Sequence, residues 1–380
     1  MDDRQGNTDA WLVLLRAPGV GPAVLRDQVA RHGDARRALA ALRRGDGPRD
    51  LTAETRAWLD APDADLLAGD AAWLTQEHHH LLGWDDPDYP SLLREIGGAP
   101  AALFVAGDPS LLWMPQVAIV GSRSASTNGL AITRRFARAL GEAGFTITSG
   151  MADGIDGAAH EAALDAGCRT VAVLGTGPDL VYPRKHIALA ARIAAGGALV
   201  SEFAPGATAR PEHFPRRNRI LAGLSLGTLV VEAALGSGSL ITARCATEQG
   251  REVFAIPGSI NNPLARGCHQ LIRDGARLVE TAEEIVTELS PFAAAAGDRL
   301  RARLQSSGAD ARAEPALAPQ RDGDYARLLE ALGHEPQGLD ALAERTGLAV
   351  TSLSSMLLVL ELDGEVQAER GGRYARVERP

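Results

Sequence analysis

Val117-Ala118-Ile119-Val120-Gly121-Ser122-Arg123 is the stretch that decides the fold of this chain. Four consecutive apolar residues make a short strand, and the absence of polar alternation means that it is buried on both faces. The strand empties into a glycine, a hydroxyl and a guanidinium, and the pattern beyond predicts a helix starting near Asn128. A strand–loop–helix junction of this kind points backbone N–H groups outward, and the helix N-terminus adds partial positive charge. Gly121 lets backbone approach a ligand closely, while Arg123 supplies a flat, permanently charged fork suited to phosphate. The spacing is not that of a G-x-G-x-x-G dinucleotide fingerprint.

The same strand–turn–helix pattern repeats outward from this point. Val117–Val120, Phe145–Thr148, Thr170–Leu174, Ala198–Ser201, Thr228–Val231 and Glu252–Ile256 are the expected strands, several of them separated by helical stretches. Near-continuous apolar strands alternating with helices imply an α/β domain whose parallel sheet is covered on both faces. Ligands of such sheets bind beyond the carboxyl ends of the strands. Those ends read Gly121-Ser122-Arg123, Ser149-Gly150-Met151-Ala152-Asp153-Gly154, Gly175-Thr176-Gly177, Ser201-Glu202, Glu232 and Pro257-Gly258. Small and polar residues at nearly every strand end mark a ligand-binding edge.

The flanks divide the chain into further segments. Residues 1–85 are expected to be helical, with the turn Pro18-Gly19-Val20-Gly21-Pro22 joining two helices. That turn fits either a helix–hairpin–helix unit, whose backbone amides meet a DNA phosphate, or an ordinary αα-corner. His78-His79-His80 reads as a solvated helix end rather than a metal cluster, since consecutive positions face different ways. Residues 86–114 read as a Pro- and Gly-rich connection with one strand, Ala102–Ala106. Residues 115–290 form the central domain, and the Ala-, Arg- and Pro-rich stretch 291–320 is expected to be a linker. Residues 321–380 outline a winged helix: helices Tyr325–Leu332, Leu339–Arg345 and Ser352–Asp363, then Val366–Arg376 with a turn at Gly371-Gly372. Its third helix has few basic residues, which favours a protein-contact or degenerate role over duplex reading.

Bulk properties narrow the function. The net charge of −9 argues against indiscriminate coating of nucleic acid, although residues 115–290 carry +1 while 1–85 and 321–380 carry −4 each. A local basic groove on an acidic protein is therefore open. Lys185 is the only lysine among 39 basic residues, a bias that either genomic base composition or phosphate recognition by arginine would produce. Cys168, Cys245 and Cys268 are isolated, so neither a disulfide framework nor a zinc knuckle is expected, and no metal or cofactor is. The N-terminus lacks the pattern of a secretory signal, and no apolar run reaches the ~18 residues of a membrane span. A cytoplasmic protein without membrane contact is expected.

Two more segments carry chemistry. In His213-Phe214-Pro215-Arg216-Arg217-Asn218-Arg219-Ile220, arginines can neutralise a polyphosphate backbone and the phenyl ring offers a stacking face to an unpaired base. In Glu232-Ala233-Ala234-Leu235-Gly236-Ser237-Gly238-Ser239-Leu240-Ile241-Thr242, a glycine/serine loop opens a helix and makes a second amide nest for an anion. Glu232 has no second carboxylate at a fixed spacing, so a structural role is expected for it.

Taken together, Gly121-Ser122-Arg123, SGMADGIDGAAH at 149–160, Tyr182-Pro183, SEFAPG at 201–206, FPRRNR at 214–219, GSGSLITA at 236–243 and PGS…GCHQLIRDGA across 257–276 resemble the DprA/Smf family. The resemblance spans the whole of 115–290 in order, and the helical N-terminal and winged-helix C-terminal segments fit the family's longer architecture. It implies an extended Rossmann-like parallel sheet, flanked by a small all-α helix-hairpin-helix or SAM-like domain and a winged helix. It further implies a homodimer that binds single-stranded DNA, protects incoming DNA and loads the RecA recombinase onto it in natural transformation. The DNA-contacting positions implied are Gly121, Ser122 and Arg123; Phe214, Arg217, Asn218 and Arg219; and Gly236, Ser237 and Gly238. Many relatives carry a lysine shortly before the phenylalanine, where this chain offers Arg210. The stretch His269–Leu278 matches a region of self-association, with His269, Leu271, Ile272 and Leu278 as contacts.

Two other functions compete with this expectation. The fold variant is similar to that of phosphoribohydrolases, but their P-G-G-x-G-T loop is replaced here by GSGSLIT, so no enzyme is expected. A sequence-specific duplex reader acting through the winged helix is the third possibility.

Overall fold

Nine strands assemble around the segment quoted above: β1 (His79–Gly83), β2 (Ala102–Gly107), β3 (Gln116–Val120), β4 (Thr146–Ser149), β5 (Thr170–Val173), β6 (Ala198–Ser201), β7 (Gly227–Val230), β8 (Glu252–Ala255) and β9 (Arg277–Leu278). The computed structural model describes residues 3–48, 51–310, 323–332 and 337–348, the helical positions Leu353, Leu357 and Leu360, and the strands 366–369 and 373–376. Spatial order in the sheet is β1-β2-β6-β5-β4-β3-β7-β8-β9. The seven strands from β6 to β9 run parallel, with Val117 of β3 opposite Ile147 of β4 and Gly227 of β7. All six expected core strands are present within a residue or two of their expected ends.

Alternation along β3 explains the two-faced burial. Val117 and Ile119 join Ile147, Leu229 and Phe254 under helices Thr127–Glu142 and Ile155–Asp165, with Ile285 and Leu289 of the helix Ala282–Asp310. Ala118 and Val120 point the other way, toward Val171, Val173, Val200 and Val230, under helices His213–Leu224 and Gly238–Glu248. Each such side chain contributes about 1.5–3 kcal/mol on leaving water.

The sheet differs from the expected all-parallel one at its left edge, where β1 pairs β2 and β2 pairs β6, both antiparallel. Sheet membership therefore starts at His79, within a stretch expected to be helical. His78-His79-His80 is correspondingly not a helix end. His78 has a positive φ of 60°, His79 pairs with Ala106 across β2, and its ring stacks on Trp73 at 4.0 Å. Short hairpin edges of this sort are weakly patterned in sequence because a histidine pair has no clear period.

Five helices precede β1: Asp3–Leu15, Pro22–His32, Ala35–Arg43, Ala53–Asp60 and Ala64–Leu74. The first two are joined by the Pro18–Gly21 turn, where Gly19 takes φ 73° and Thr55 Oγ1 donates to the Pro18 carbonyl at 2.7 Å. Trp11, Leu14, Leu25, Val29 and Leu39 form their core together with Ala101 and Ala102 of the sheet edge. Trp11 Nε1 donates to Asp85 at 2.7 Å, and Arg16 grips the buried Asp70 with two bonds of 2.6 Å. These helices are thus built onto the sheet through β1 and β2.

Residues 291–310, expected to be linker, continue the helix Ala282–Asp310 through Pro291. Alanine, leucine and arginine are strong helix formers, and here propensity outweighs the missing apolar periodicity. Ala296 is buried, and Arg299 pairs with Glu95 at 2.9 Å. The expected linker residues 311–320 lie outside the described residues.

The C-terminal unit, from residue 305, is a separate compact body. Helices Gly323–Leu332 and Leu339–Thr346 accompany a three-stranded antiparallel sheet of Gln337–Gly338, Arg373–Arg376 and Val366–Glu369, in that order. Leu328, Leu332, Leu342, Leu353, Leu357 and Leu360 form its core. Most of the expected third helix, Ser352–Asp363, and the Gly371-Gly372 turn lie outside the described residues. The 353/357/360 spacing of the buried leucines is helical.

Candidate nucleic-acid interface

Chain order reverses between β3 and β7. β3 leads to β4 on one side, whereas β7 is reached only after β6 and lies on the other. Crevices at such switch points are where open α/β sheets bind ligands. A cleft of about 720 Å³ opens there. Gly121, Ser122 and Arg123 form one wall, continuing from β3. Ala234 to Ser239, following β7, form the opposite wall. Phe214, Arg217 and Asn218 rise from the first turns of the helix His213–Leu224, and Tyr182 closes one end.

The first wall is tightly built. Ser122 N–H donates to the Glu232 carbonyl at 2.7 Å, so the loop is tied to the end of β7. A Cβ on Gly121 would lie 2.6 Å from Ile155 Cγ1 and 2.9 Å from the Glu232 carbonyl oxygen, and only glycine fits. The helix that follows starts at Thr127, one residue before its expected start. Its N-terminus is not open. Glu232 accepts the Ser126 N–H at 2.8 Å and the Ser126 hydroxyl at 2.6 Å, while Ser126 Oγ caps Gly129 N–H at 3.0 Å. Glu232 is thus structural, as its isolation in sequence suggested. Ser126 was not singled out in the sequence, although its place before the helix is a capping signal.

Arg123 projects from this wall into solvent. Its guanidinium lies 5.7 Å from the centroid of the Phe214 ring, and Tyr182 meets that ring from another side at 5.5 Å. Among the described residues no carboxylate forms an ion pair with Arg123. Tyr182 is half exposed, and its motif with Pro183 gives it no role by itself. An exposed aromatic residue in a chain with 4% aromatics is the signal that could have found it.

Arg217 is placed differently from Arg123. It is buried, and its Nη1 donates to the Gly150 carbonyl at 2.5 Å and also to the Val173 carbonyl, while Nε donates to Asn218 Oδ1 at 3.0 Å. Burial lowers its pKa, and Asp156, 4.0 Å away, opposes that shift. Asp156 is itself buried, accepting from Gly150 and Ala152 N–H at 3.2 and 3.4 Å. Its pKa is raised by burial and held back by Arg217. Arg217 therefore fixes the floor of the cleft, joining β4, β5 and the loop after β4.

The second wall is the open one. Gly236 has φ 81°, Ser237 Oγ caps Ser239 N–H at 3.4 Å, and Asn218 Nδ2 donates to the Gly238 carbonyl at 3.4 Å. A Cβ on Gly236 or Gly238 would meet nothing within 4 Å, so backbone on this wall is free to be approached.

Two arginines of the set named from sequence do not line the cleft. Arg219 turns away to pair with Glu202 and the Gly98 carbonyl; burial lowers its pKa and Glu202 opposes. Arg210 is exposed on the loop before the helix, beside Pro211, which does line the cleft. Helical periodicity explains Arg219: residues 217 and 219 are two apart, so they face different sides. His269, Leu271, Ile272 and Leu278 lie apart from the cleft, on the helix Arg266–Arg273 and the edge strand β9. Leu271 and Ile272 pack against the core, His269 Nε2 pairs with the Gly258 carbonyl at 3.0 Å, and Leu278 is 44% exposed.

Among the described residues no cluster of three His, Cys, Asp or Glu side chains could hold a metal ion, and no helix is long and apolar enough to cross a membrane. Chemically the cleft offers one solvent-facing guanidinium, an aromatic pair and an unfilled amide nest.

The chain is similar to known proteins. The family model described as DNA recombination-mediator protein A matches residues 80–290, a DprA-like N-terminal HHH domain matches 5–57, and a DprA winged helix domain matches 312–372. Protein Smf of Escherichia coli K12 is 46% identical over 308 residues, covering 81% of this chain and 80% of that protein. The X-ray structure of DNA processing protein A from Streptococcus pneumoniae aligns with a TM-score of 0.66 at 37% identity, over 74% of this chain and 97% of that one. DNA processing protein A from Helicobacter pylori, solved for its single-stranded DNA binding mode, aligns at 0.51 and 28% identity, over 56% of this chain and 96% of that one. The central sheet domain, the helical N-terminal domain and the winged helix thus have counterparts in one set of proteins, and the chain belongs to the DNA recombination-mediator protein A family, DprA/Smf.

Proposed function

We propose that this protein binds single-stranded DNA in the cleft between β3 and β7, protects it, and loads RecA onto it during transformation or homologous recombination. The observation that carries the reading is the juxtaposition of Arg123 with the Phe214–Tyr182 pair, across the cleft from the Gly236–Ser239 nest. A guanidinium without a carboxylate partner takes a backbone phosphate, the exposed Tyr182 and half-buried Phe214 rings stack an unpaired base, and backbone amides opposite take a second oxygen. A duplex, with its bases paired and stacked inside, offers no base to those rings. Gly121 and Ser122 shape the first wall, Asn218 steadies the second, and Arg217 positions the floor. Arg210 extends the positive charge at the rim, and Arg219 stays with Glu202. The Helicobacter pylori neighbour supports the choice of ligand.

The protein acts without catalysing a reaction. Asp156, which lines the cleft, and Glu232, behind its first wall, are both engaged by backbone amides, and the Ser126 hydroxyl that meets Glu232 caps its own helix. It works in the cytoplasm as a homodimer through His269, Leu271, Ile272 and Leu278, with RecA as its protein partner.

Fluorescence anisotropy with labelled oligo-dT tests the reading. Tight binding that weakens steeply with salt is expected, with duplex of equal length bound much less. Equal binding of duplex, or release of a free base from a nucleoside monophosphate, would sink it. RecA filament assembly on the same oligonucleotide, with and without the protein, tests loading.

A further inference from the structure

We propose that the cleft selects the monoanionic phosphodiester of a nucleic-acid backbone and rejects phosphomonoesters, because the protein's own carboxylates already fill two of the four amide nests gathered around it. The inference rests on the nucleic-acid reading of the cleft and deepens it.

Four helices begin at or beside the cleft: Thr127–Glu142, Ile155–Asp165, His213–Leu224 and Gly238–Glu248. At the N-terminus of Thr127–Glu142, Glu232 takes the Ser126 N–H at 2.8 Å and the Ser126 hydroxyl at 2.6 Å. A Cβ on Gly129 would lie 2.4 Å from Glu232 Oε2, so the first turn carries a glycine where the carboxylate sits against it. The carboxylate holds the place that a phosphate takes at a Rossmann helix terminus. Ahead of Ile155–Asp165, Asp156 Oδ2 takes the Gly150 and Ala152 N–H groups at 3.2 and 3.4 Å. Glu232 is 6% exposed and Asp156 5%, so neither charge is dispersed by water. Gly238–Glu248 and His213–Leu224 begin without a carboxylate: the Ser237 hydroxyl caps the first, and no side chain caps the second.

Charge balance then fixes the ligand class. Arg217 answers Asp156 at 4.0 Å, whereas Arg123 pairs with no carboxylate among the described residues. A diester brings one negative charge, which Arg123 matches. A terminal monoester brings nearly two at neutral pH. Its second charge finds no further cation among the residues that line the cleft, and it meets the Asp156 carboxylate, with Glu232 behind the first wall, in a partly desolvated site where Coulomb repulsion is strong. Free nucleotides and phosphorylated strand ends are thereby kept out of a site that accepts internal backbone.

The test displaces labelled oligo-dT from the whole chain with thymidine 5′-monophosphate or with its methyl ester, which differ only by one ionisable oxygen. At about pH 7.5 the ester is expected to compete at least about tenfold better, and near pH 5 the two converge as the monoester dianion takes up one proton and becomes a monoanion. Glu232→Gln, which removes the charge and keeps the side-chain shape, is expected to shrink the pH 7.5 preference. Equal competition by wild type at pH 7.5, or a preference that persists at pH 5, overturns the inference, and these two readings need no variant. A folded Glu232→Gln protein with an unchanged preference overturns it as well. Failure of the underlying reading looks different: Arg123→Ala would then leave oligo-dT binding intact.

Discussion

Arg217 occupies the space that a side chain at position 150 would need. A Cβ on Gly150 would stand 2.1 Å from Arg217 Nη2, and Arg217 Nη1 donates to the Gly150 carbonyl at 2.5 Å. The loop after β4 and the helix His213–Leu224 are therefore locked to one another. Gly150→Ala should displace the guanidinium and lower stability by about 1–3 kcal/mol. Arg217→Ala should cost about 3–5 kcal/mol, since it leaves Asp156 buried without its cation and two carbonyls without a donor. Denaturant unfolding of both variants checks this, and a stability of Arg217→Ala equal to wild type would contradict it.

Arg123→Ala separates binding from folding. The side chain is exposed, so unfolding stability should stay within about 0.5 kcal/mol of wild type. Affinity for oligo-dT should fall by about tenfold or more. The slope of log K against log salt should shrink by about 0.7, the share of one phosphate contact on a single strand.

Phe214→Ala should weaken oligo-dT binding by about 1–3 kcal/mol, the worth of one base stacked on an aromatic ring, with the salt slope unchanged. Phe214→Tyr should retain most of the affinity. A change in salt slope without a change in affinity at high salt would show that the ring only supports Arg123.

His160 gives the protein a measurable acid sensitivity. It is fully buried beside Thr170, and burial pushes its pKa from 6.5 down to about 3. The unfolded chain therefore binds a proton near this residue at higher pH than the folded chain does. Its contribution is fully present above about pH 6.5 and is lost as pH falls toward 3, at up to about 1.4 kcal/mol per pH unit. His160→Gln should flatten the stability–pH slope in that window relative to wild type. Parallel slopes for the two proteins would place the acid sensitivity elsewhere.

Leu278 lies on the two-residue edge strand β9 and is 44% exposed, so its substitution should not disturb the fold. If the edge is the dimer contact, Leu278→Glu should shift sedimentation equilibrium toward monomer while the unfolding transition of the monomer is kept. Unchanged association would move the interface away from β9.

The central sheet was legible because its strands are short unbroken apolar runs, and burial on both faces admits no other reading of Val117–Val120 or Val171–Val173. The glycine and serine loops at the strand ends were legible for a related reason: close backbone approach leaves few residue types to choose from. What sequence could not assign was the work of individual charged groups. Arg123, Arg217 and Arg219 are chemically identical in a string of letters. Folding leaves Arg123 in solvent over Phe214, spends Arg217 on the carbonyls of Gly150 and Val173, and gives Arg219 to Glu202. Likewise Glu232 and Ser126 are 106 positions apart, and only the parallel pairing of β3 with β7 brings the carboxylate onto that helix terminus. Local pattern determined the strands and the loops of this protein, because burial and backbone conformation act over a few residues. Partner choice among charges was decided by tertiary structure, because an ion finds its counter-ion through space.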